Sequence, residues 1–509
     1  MKQTFTGIAA LVGVALALTA CSGGGGATGG DASSGDVRPL SIGNFLDVTN
    51  WDPASADLGF DAPYLSAVYD ALVTTDEHGE PQPGIATKWE VSDDFSKVTF
   101  DLRTDAEFSD GTPVDADSVV ASLEHLKQGP TAQEAYKKVE KISKVDDDTI
   151  EFAMSARDDT MLYLLGLGRS YLASPSAIEA GTLSETPVGS GPYTLGDASV
   201  PGTEYVFDKV ADHWDAEAFP FDPLKITPLS DATAMLNAME AEQLNVIYTD
   251  KNGSDLAESY DWNVSKGLSM WAGLAFADRS GDMGSPLGDV RVRQALNLAF
   301  DREAMHDSIA QGQGFVTNQF FPVENPGHVA SLDETTPYDL DRAKQLLADA
   351  GYADGFEVKM PMAPPFQPYQ AIVEQTFTEL KIKVTWEETD FMSYMGKAPT
   401  YPMYVAVIAM DSNPVATVER QIANPQWYNP NPGLDSLDGV QEQIDAVFSA
   451  EPGDAQIGEI EKLNELVTDQ AYNAVWGQNE NTYVSTADFT VKPVIGLMFP
   501  TLRQIELAG

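Results

Sequence analysis

The sequence predicts an α/β protein built from two or three domains. Its 509 residues are too many for one hydrophobic core, and 43% of them are hydrophobic, which is ample for buried interiors. Stretches with the period-2 alternation of half-buried strands precede stretches with the caps and apolar spacing of helices. Two continuous apolar runs, 268–276 (LSMWAGLAF) and 404–410 (YVAVIAM), are typical of fully buried strands. This mixture of elements favours α/β domains.

The clearest supersecondary unit spans residues 88–123. Apolar and polar side chains alternate over 98–102, which predicts a half-buried strand. Asp110-Gly111 then forms a turn, because glycine tolerates the positive φ that a tight turn demands. After the turn, Asp115 caps a predicted helix. The apolar face of that helix consists of Val119, Val120, Leu123 and Leu126.

The same patterns predict further elements along the chain. Strands are predicted at 205–209 and 224–228. Helices are predicted at 61–72, at 231–242, after the cap Asp289, and from the cap Asp339 to Gly351. These elements suit α/β lobes.

The order of residue types in the unit at 88–123 closely resembles the signature of the family 5 extracellular solute-binding proteins. It reads Trp-Glu-x-Ser-x-Asp, then an alternating strand ending in Leu-Arg, then Phe-x-Asp-Gly-x-Pro-Val-x-Ala-x-Ser-Val. Three more stretches, 189–193, 289–305 and 338–352, match that family in the same order. These stretches are markers of the fold rather than catalytic motifs. Family members deliver oligopeptides, dipeptides, nickel chelates and some oligosaccharides to ABC importers.

The resemblance implies a two-lobed clamp of the type II periplasmic-binding-protein fold, with an extra subdomain in lobe I. The implied order is a signal peptide (1–20), a lipid-anchored tether (21–37), a first segment of lobe I (38–77), the extra subdomain (78–187), a second segment of lobe I (188–268), a hinge crossing (269–276), lobe II (277–472), and a second crossing with the last segment of lobe I (473–509). Two extended crossings would let the lobes close on a ligand like a hinge.

Composition excludes several classes of function. The chain has 30 Lys plus Arg against 78 Asp plus Glu, a formal net charge of -48, so it lacks the clustered cations that nucleic-acid binding needs. Acidity of this kind is consistent with a cationic ligand or a salty habitat, but charge spread over a whole chain more often keeps a surface solvated. Its single cysteine, Cys21, excludes a disulfide framework and a cysteine-based metal cluster.

The N-terminus reads as a lipoprotein signal. Lys2 precedes an apolar stretch at 8–20 that is shorter than the ~20 residues of a membrane-spanning helix. It ends in Leu-Thr-Ala-Cys, which resembles a lipobox in which the Cys21 thiolate accepts diacylglycerol. The Gly/Ser/Ala-rich stretch 22–37 is too polar to order itself and is predicted to be a tether.

The sequence predicts no enzymatic activity, no cofactor and no metal. Its five histidines are dispersed, without a His-Glu-x-x-His helix. No Gly-x-Ser-x-Gly elbow and no Ser-x-x-Lys motif occurs. Paired carboxylates such as Asp93-Asp94 are expected on solvated turns in a chain this acidic. The glycine run at 23–30 is neither preceded by a strand nor followed by Gly-Lys-Ser/Thr, which excludes a phosphate loop.

Two tryptophans are candidates for ligand contacts. Trp51 lies in a Trp-Asp-Pro element that the resemblance places beside the cleft, and Trp271 lies on the predicted first crossing. Aromatic rings give large contact area at low entropic cost. The alternative for each is a position in the core.

Three further candidates follow the predicted strand 404–410. Asp411 stands where peptide-binding relatives carry an aspartate that pairs with the peptide α-amino group, although the motif here is shortened to Asp-Ser-Asn-Pro. Trp427 and Tyr428 lie in a loop that often borders the ligand in relatives, and both are equally suited to stacking on a sugar ring.

These observations predict an extracytoplasmic receptor of an ABC importer, anchored to the outer face of the membrane by lipidated Cys21. The favoured ligand is an oligopeptide, and an oligosaccharide is the alternative within the family. The expected partners are the solute, a permease and its ATPase subunits, and the receptor is expected to be a monomer. A surface lipoprotein with a sensing or adhesive role is the alternative from another class, and it predicts a cleft too filled to accept a ligand.

Overall fold

The computed structural model describes residues 37–508. The predicted signal peptide, Cys21 and nearly all of the predicted tether lie outside the described residues. The strands are β1 (Arg38–Asn44), β2 (Val73–Thr75), β3 (Pro81–Pro83), β4 (Ala86–Val91), β5 (Lys97–Leu102), β6 (Val139–Asp146), β7 (Thr149–Met154), β8 (Tyr193–Leu195), β9 (Tyr205–Lys209), β10 (Phe221–Pro228), β11 (Val246–Thr249), β12 (Asn263–Phe276), β13 (Glu357–Met362), β14 (Lys383–Glu388), β15 (Met403–Ala409), β16 (Ala474–Ser485), β17 (Phe489–Val491) and β18 (Ile505–Leu507).

Helices alternate with these strands. They are α1 (Ala62–Val68), α2 (Ala116–Gln128), α3 (Met161–Leu164), α4 (Pro175–Ala180), α5 (Ala232–Glu240), α6 (Lys251–Tyr260), α7 (Val290–Leu298), α8 (Arg302–Ser308), α9 (Leu340–Asp349), α10 (Gln367–Glu379), α11 (Phe391–Lys397), α12 (Pro414–Thr417), α13 (Val440–Ser449) and α14 (Asp454–Asp469).

An eight-stranded sheet runs through the molecule in the order β15-β12-β16-β11-β1-β10-β9-β8. β1 pairs in parallel with β10 and β11, whereas β12 pairs antiparallel with β15 and β16. We call the half that contains β1 and β8–β11 lobe I, and the half built around β13–β15 lobe II. The long strands β12 and β16 belong to both.

Each lobe has its own apolar core. Lobe II packs the distal half of β12 and all of β15 against α7, α9 and α10. Lobe I contains an aromatic-rich core around β1, β9 and β10 and a second core in a small subdomain. That subdomain consists of the sheet β4-β5-β7-β6 with α2 and α3.

The predicted strand–turn–helix unit is confirmed. It supplies β5, the turn and α2 of the small subdomain. Gly111 adopts a φ of +82° at the turn, and the Asp115 side chain accepts a hydrogen bond from the Ser118 backbone N–H at 3.0 Å, capping α2. The side chains of Val119, Leu123 and Leu126 are fully buried, and Val120 packs half-buried on the same core.

Most of the other predicted elements form, with shifted ends. The helix predicted at 61–72 covers only Ala62–Val68 because Tyr69 is extended, with φ -124° and ψ 133°. Asp61 does not cap it; its carboxylate instead accepts hydrogen bonds from the Thr49 N–H at 3.0 Å and from the Thr49 hydroxyl. The strand predicted at 268–276 begins earlier, at Asn263, because residues 263–268 also pair with β16.

Buried arginines fix the start of β16 to lobe II. The Arg293 guanidinium donates to the carbonyl oxygens of Gln470 at 3.0 Å and Leu287 at 2.7 Å. Arg302 donates to the carbonyl of Val475 at 2.8 Å. Burial lowers the pKa of both arginines to about 10, so each stays charged at neutral pH. Both arginines lie in the stretch 289–305 that matches the family signature. Their hydrogen bonds to backbone carbonyls explain why these residue types suit the fold at those positions.

None of the helices between residues 37 and 508 combines the length and the apolarity needed to span a bilayer.

Replacing Arg293 with methionine is expected to destabilise lobe II. The change keeps most of the side-chain volume but leaves buried carbonyls without donors, at a cost of about 3 kcal/mol in the free energy of unfolding. Urea unfolding measures the effect. Arg291→Met, on the same helix and with a side chain that is 46% exposed, is the matched control and should cost much less, because exposed ion pairs contribute little to stability. Equal costs for both variants would contradict this role.

Candidate functional site

A charged cluster lies where the small subdomain of lobe I faces lobe II. It consists of Glu134 and Arg169 from lobe I and Asp411 and Arg420 from lobe II. These residues are far apart in sequence, with 286 positions separating Glu134 from Arg420. The cluster therefore joins the small subdomain of lobe I to lobe II.

Asp411 is fully buried at the end of β15, with 0% of its surface exposed. Its Oδ1 accepts hydrogen bonds from Arg420 Nη1 at 2.5 Å and from the Tyr163 hydroxyl at 3.3 Å. Its Oδ2 is buried and has no hydrogen-bond partner within residues 37–508. A buried carboxylate oxygen without a donor is energetically costly.

Arg420 and Glu134 connect the two lobes. Arg420 Nε lies 3.2 Å from Glu134 Oε1, and Arg169 Nη2 lies 2.8 Å from Glu134 Oε2. Burial alone would raise the pKa of Glu134, but the two guanidinium groups outweigh burial and hold that pKa at about 2. Glu134 is therefore a carboxylate at neutral pH, and the cluster of two acids and two arginines has no net charge.

A second ionic contact crosses the same boundary. Lys138 Nζ of the small subdomain lies 2.7 Å from Glu419 Oε1 of lobe II. The Thr160 hydroxyl donates to Glu419 Oε2 at 2.9 Å. These contacts hold the small subdomain against the segment that carries Arg420.

Trp51 packs inside lobe I. Only 6% of its surface is exposed, and its ring makes edge contacts with Tyr64, Tyr205 and Phe207 at centroid distances of 6.0, 5.7 and 6.4 Å. Its backbone carbonyl accepts a hydrogen bond from the Tyr69 hydroxyl at 2.9 Å. The structure thus places Trp51 among core aromatics, and a ligand contact by this residue stays a prediction.

Trp271 lies on β12 close to the charged cluster. It is 1% exposed, and its Nε1 donates to Gln421 Oε1 at 3.2 Å. Gln421 is the neighbour of Arg420, and its amide donates in turn to the carbonyl of Ala409 at 3.0 Å. Trp271 therefore supports the segment that bears Arg420.

Trp427 and Tyr428 are neighbours with different environments. Trp427 is 48% exposed, whereas Tyr428 is 7% exposed. The Tyr428 hydroxyl donates to the Arg420 carbonyl at 2.9 Å, and the Tyr428 carbonyl accepts from the Tyr404 hydroxyl. Tyr428 thus holds the backbone of Arg420, while Trp427 presents its ring to solvent.

The structure gathers three of the candidate residues, Asp411, Trp271 and Tyr428, around one segment of lobe II. Sequence reasoning did not identify Arg420, which lies nine residues after Asp411. It also did not identify Glu134, Arg169 or Tyr163, because nothing local in the sequence marks a contact between lobes.

Residues 37–508 contain no group of three or more His, Cys, Asp or Glu side chains arranged to hold a metal ion. The buried histidine His213 instead lies 3.2 Å from the Asp70 carboxylate.

Two lobes joined by long crossing strands, with buried polar groups between them, define a solute-binding receptor. The family "Bacterial extracellular solute-binding proteins, family 5 Middle" matches residues 80–429. This match covers more than half of the chain, so the chain belongs to the family 5 solute-binding proteins of ABC importers. The resemblance drawn from the sequence motifs is confirmed.

Curated relatives differ in what their names say they bind. The heme-binding protein A of Haemophilus influenzae is 30% identical over 409 residues, which are 72% of this chain and 71% of that protein. The dipeptide-binding protein of Escherichia coli is 28% identical over 356 residues, which are 64% of this chain and 63% of that protein. The chain thus spans slightly less than two thirds of the dipeptide-binding relative.

Solved structures share the fold. The periplasmic binding protein AgaA of A. tumefaciens R10, in complex with agropinic acid, superposes with a TM-score of 0.78 at 21% identity. The superposition covers 92% of this chain and 99% of that one. The predicted α/β, two-lobed fold is therefore confirmed, and the exact boundaries of its segments stay a prediction.

The charged cluster predicts an acid-sensitive contribution to stability. The folded pKa of Glu134, about 2, lies below the ordinary value of 4.5, so its stabilising effect is complete above pH 4.5 and is lost as the pH falls toward 2. Glu134→Gln is expected to remove this component of the pH dependence. Thermal unfolding of both proteins from pH 7 to pH 2 should show a difference that shrinks below pH 4.5. A difference that does not change with pH would contradict the ion-pair assignment.

Proposed function

We propose that this protein is the solute receptor of an ABC importer and that it captures an oligopeptide between its lobes. One observation carries the choice of ligand: the buried carboxylate of Asp411 keeps Oδ2 without a donor from residues 37–508 at the boundary between the lobes. A peptide α-amino group supplies charged N–H donors for such an oxygen. The receptor would then hand the peptide to a membrane permease, while separate ATPase subunits supply the energy.

Lobe closure would couple binding to delivery. The two lobes touch through the charged cluster and through the Lys138–Glu419 pair at 2.7 Å. A ligand favours the closed form only by its greater affinity for that form. Contacts to Asp411 in lobe II and to Tyr163 in lobe I would provide this difference, because only closure brings both residues together.

An oligosaccharide is the second candidate ligand. The observation that favours it is the 48% exposed ring of Trp427, which meets the Tyr428 ring edge-on at a centroid distance of 5.3 Å. An exposed indole next to a cleft is suited to stacking on a sugar. This ligand would leave the role in transport unchanged.

We further propose that lipidated Cys21 anchors the receptor to the outer face of the cell membrane and that the receptor acts as a monomer. The lipobox-like Leu-Thr-Ala-Cys motif and the polar stretch 22–37 support the anchor.

Peptides with a free N-terminus are expected to stabilise the protein. At a concentration of 100 Kd, ligand binding adds about 2.7 kcal/mol to the free energy of unfolding, which raises the melting temperature of a chain of this length by roughly 3 °C. N-acetylated forms of the same peptides should give a much smaller rise, because acetylation removes the charge. Thermal unfolding against matched panels of peptides, N-acetylated peptides and oligosaccharides measures this.

Asp411→Asn provides the control for that panel. It should weaken the binding of free-amine peptides by about 30-fold and leave the binding of acetylated peptides nearly unchanged, because a charge-assisted hydrogen bond is lost. A rise in melting temperature with sugars alone would show that the ligand is an oligosaccharide and not a peptide. No response to any panel would count against a transport role.

The anchor has a separate test. Cys21→Ser is expected to abolish incorporation of labelled fatty acid and to release the protein from the membrane fraction, because serine lacks the thiol that accepts the lipid. Retention of the lipid label in the variant would refute the lipobox assignment.

A further inference from the structure

Arg420 already occupies a portion of the proposed ligand site. Its Nη1 lies 2.5 Å from Asp411 Oδ1, and its Nε lies 3.2 Å from Glu134 Oε1. The guanidinium therefore contacts one carboxylate from each lobe. No other cationic side chain forms an ion pair with Asp411 among residues 37–508.

The pairing with Asp411 does not depend on closure. Arg420 and Asp411 both belong to lobe II and are nine residues apart. Tyr428 and Gln421 hold the backbone next to Arg420, through hydrogen bonds of 2.9 Å and 3.0 Å. The pair is therefore available whether or not the lobes are together. Without it, Asp411 would be a buried charge without a partner, which is strongly unfavourable.

The charges of the cluster determine what a ligand amine meets. Asp411 and Glu134 contribute two negative charges, and Arg420 and Arg169 contribute two positive charges. An incoming ammonium group adds one positive charge to this cluster, in which only Asp411 is fully buried. It must therefore share Asp411 with Arg420 or displace the guanidinium.

We propose that Arg420 is an internal surrogate for the ligand's ammonium group. It competes with the amine for Asp411, limits the affinity for free-amine peptides, and takes over as the partner of Asp411 when the peptide leaves. This inference rests on the proposed recognition of an α-amino group. A receptor that must release its cargo to a permease benefits from such a replacement partner, because departure of the peptide leaves no buried anion unpaired.

Glu134 gives the displaced guanidinium a second partner. Because Glu134 lies in lobe I, a shift of Arg420 from Asp411 toward Glu134 strengthens a contact between the lobes. Binding of the amine in lobe II and closure of lobe I are thereby coupled through one side chain. Arg420 is a specificity-determining residue in this scheme, and a merely structural arginine would not alter the discrimination between amines.

Removing the competitor should tighten binding. Arg420→Gln leaves a cluster with one net negative charge, which an ammonium group neutralises, so affinity for a free-amine tripeptide is expected to rise about tenfold. Affinity for the N-acetylated tripeptide should not rise. Isothermal titration calorimetry on the full chain in mild detergent measures both dissociation constants, and their ratio is the decisive quantity.

Arg157→Gln is the matched control. Arg157 also reaches across the lobes, donating to the Ala450 carbonyl at 2.6 Å, but its carboxylate partner is Asp159 at 2.7 Å rather than Asp411. The variant loses one positive charge and one contact between the lobes, and it should leave the ratio of the two dissociation constants unchanged. A similar rise in that ratio for Arg157→Gln would show a general charge effect and overturn the proposal.

Arg420→Lys keeps the charge and provides a second variant in case Arg420→Gln does not fold. It should retain the wild-type ratio within about threefold. Weaker or unchanged binding of the free amine by Arg420→Gln overturns the surrogate role. If the wild-type protein binds the free and the acetylated peptide equally well, the proposed recognition of the α-amino group is refuted. That outcome differs from the one that refutes the role of Arg420. The two failures are therefore distinguishable.

Discussion

The antiparallel pairing of β12 with β16 is the constraint on which the rest of the structure depends. The two strands pair from Asn263↔Ser485 in lobe I to Leu274↔Ala474 in lobe II. The lobes therefore share one continuous ribbon of hydrogen bonds rather than two independent linkers. Register shifts interrupt the ribbon at 268/270, near its middle, and at 272/273, near its lobe II end. Such irregularities bend a strand pair locally, so they are the natural places for a change in the angle between the lobes.

Glycine and arginine keep this ribbon in place. A Cβ on Gly273 would lie 2.3 Å from the Ala474 carbonyl oxygen, so only glycine permits the close approach of β12 to β16 there. Arg293 and Arg302 then hold the carbonyls around the start of β16. The acceptors are backbone groups of lobe II, so the arginines fix the ribbon to that lobe. Motion of the lobes must therefore be absorbed on the lobe I side of these contacts or within the ribbon.

Sequence reasoning succeeded where the determining forces are local. Apolar alternation, the Asp115 cap and the positive φ of Gly111 depend on neighbouring residues, and they predicted β5, the turn and α2 correctly. Local patterns misplaced the end of α1, where the backbone becomes extended at Tyr69. The motifs revealed the family because their residues determine local features, such as the Asp115 cap and the Gly111 turn, and also the packing of these elements in the core.

The candidate site was only partly predictable for the same reason. Asp411 was proposed from its position after a buried strand and from the resemblance to peptide-binding relatives, and its contact with a ligand stays a prediction. Its partners Arg420 and Tyr163 depend on how the segment after β15 folds back and on how the lobes meet, and Tyr163 is 248 positions away. A long-range ion pair has no periodicity or spacing that marks it in a single sequence.

Selection of ligands inside the cleft is separate from the acidity of the chain as a whole. The net charge of -48 acts through solvent and is screened over about 8 Å at physiological ionic strength. Within the cluster, Asp411 is buried and Arg420, Glu134 and Arg169 are only 11–18% exposed, so their ion pairs act over short distances and are separate from the charge of the whole chain. In the proposed scheme, a ligand is selected by the position of its donor near Asp411 Oδ2 and by its ability to replace the Arg420 guanidinium. The proposed recognition is an exchange of partners on one carboxylate, between lobes that a single β ribbon keeps in register.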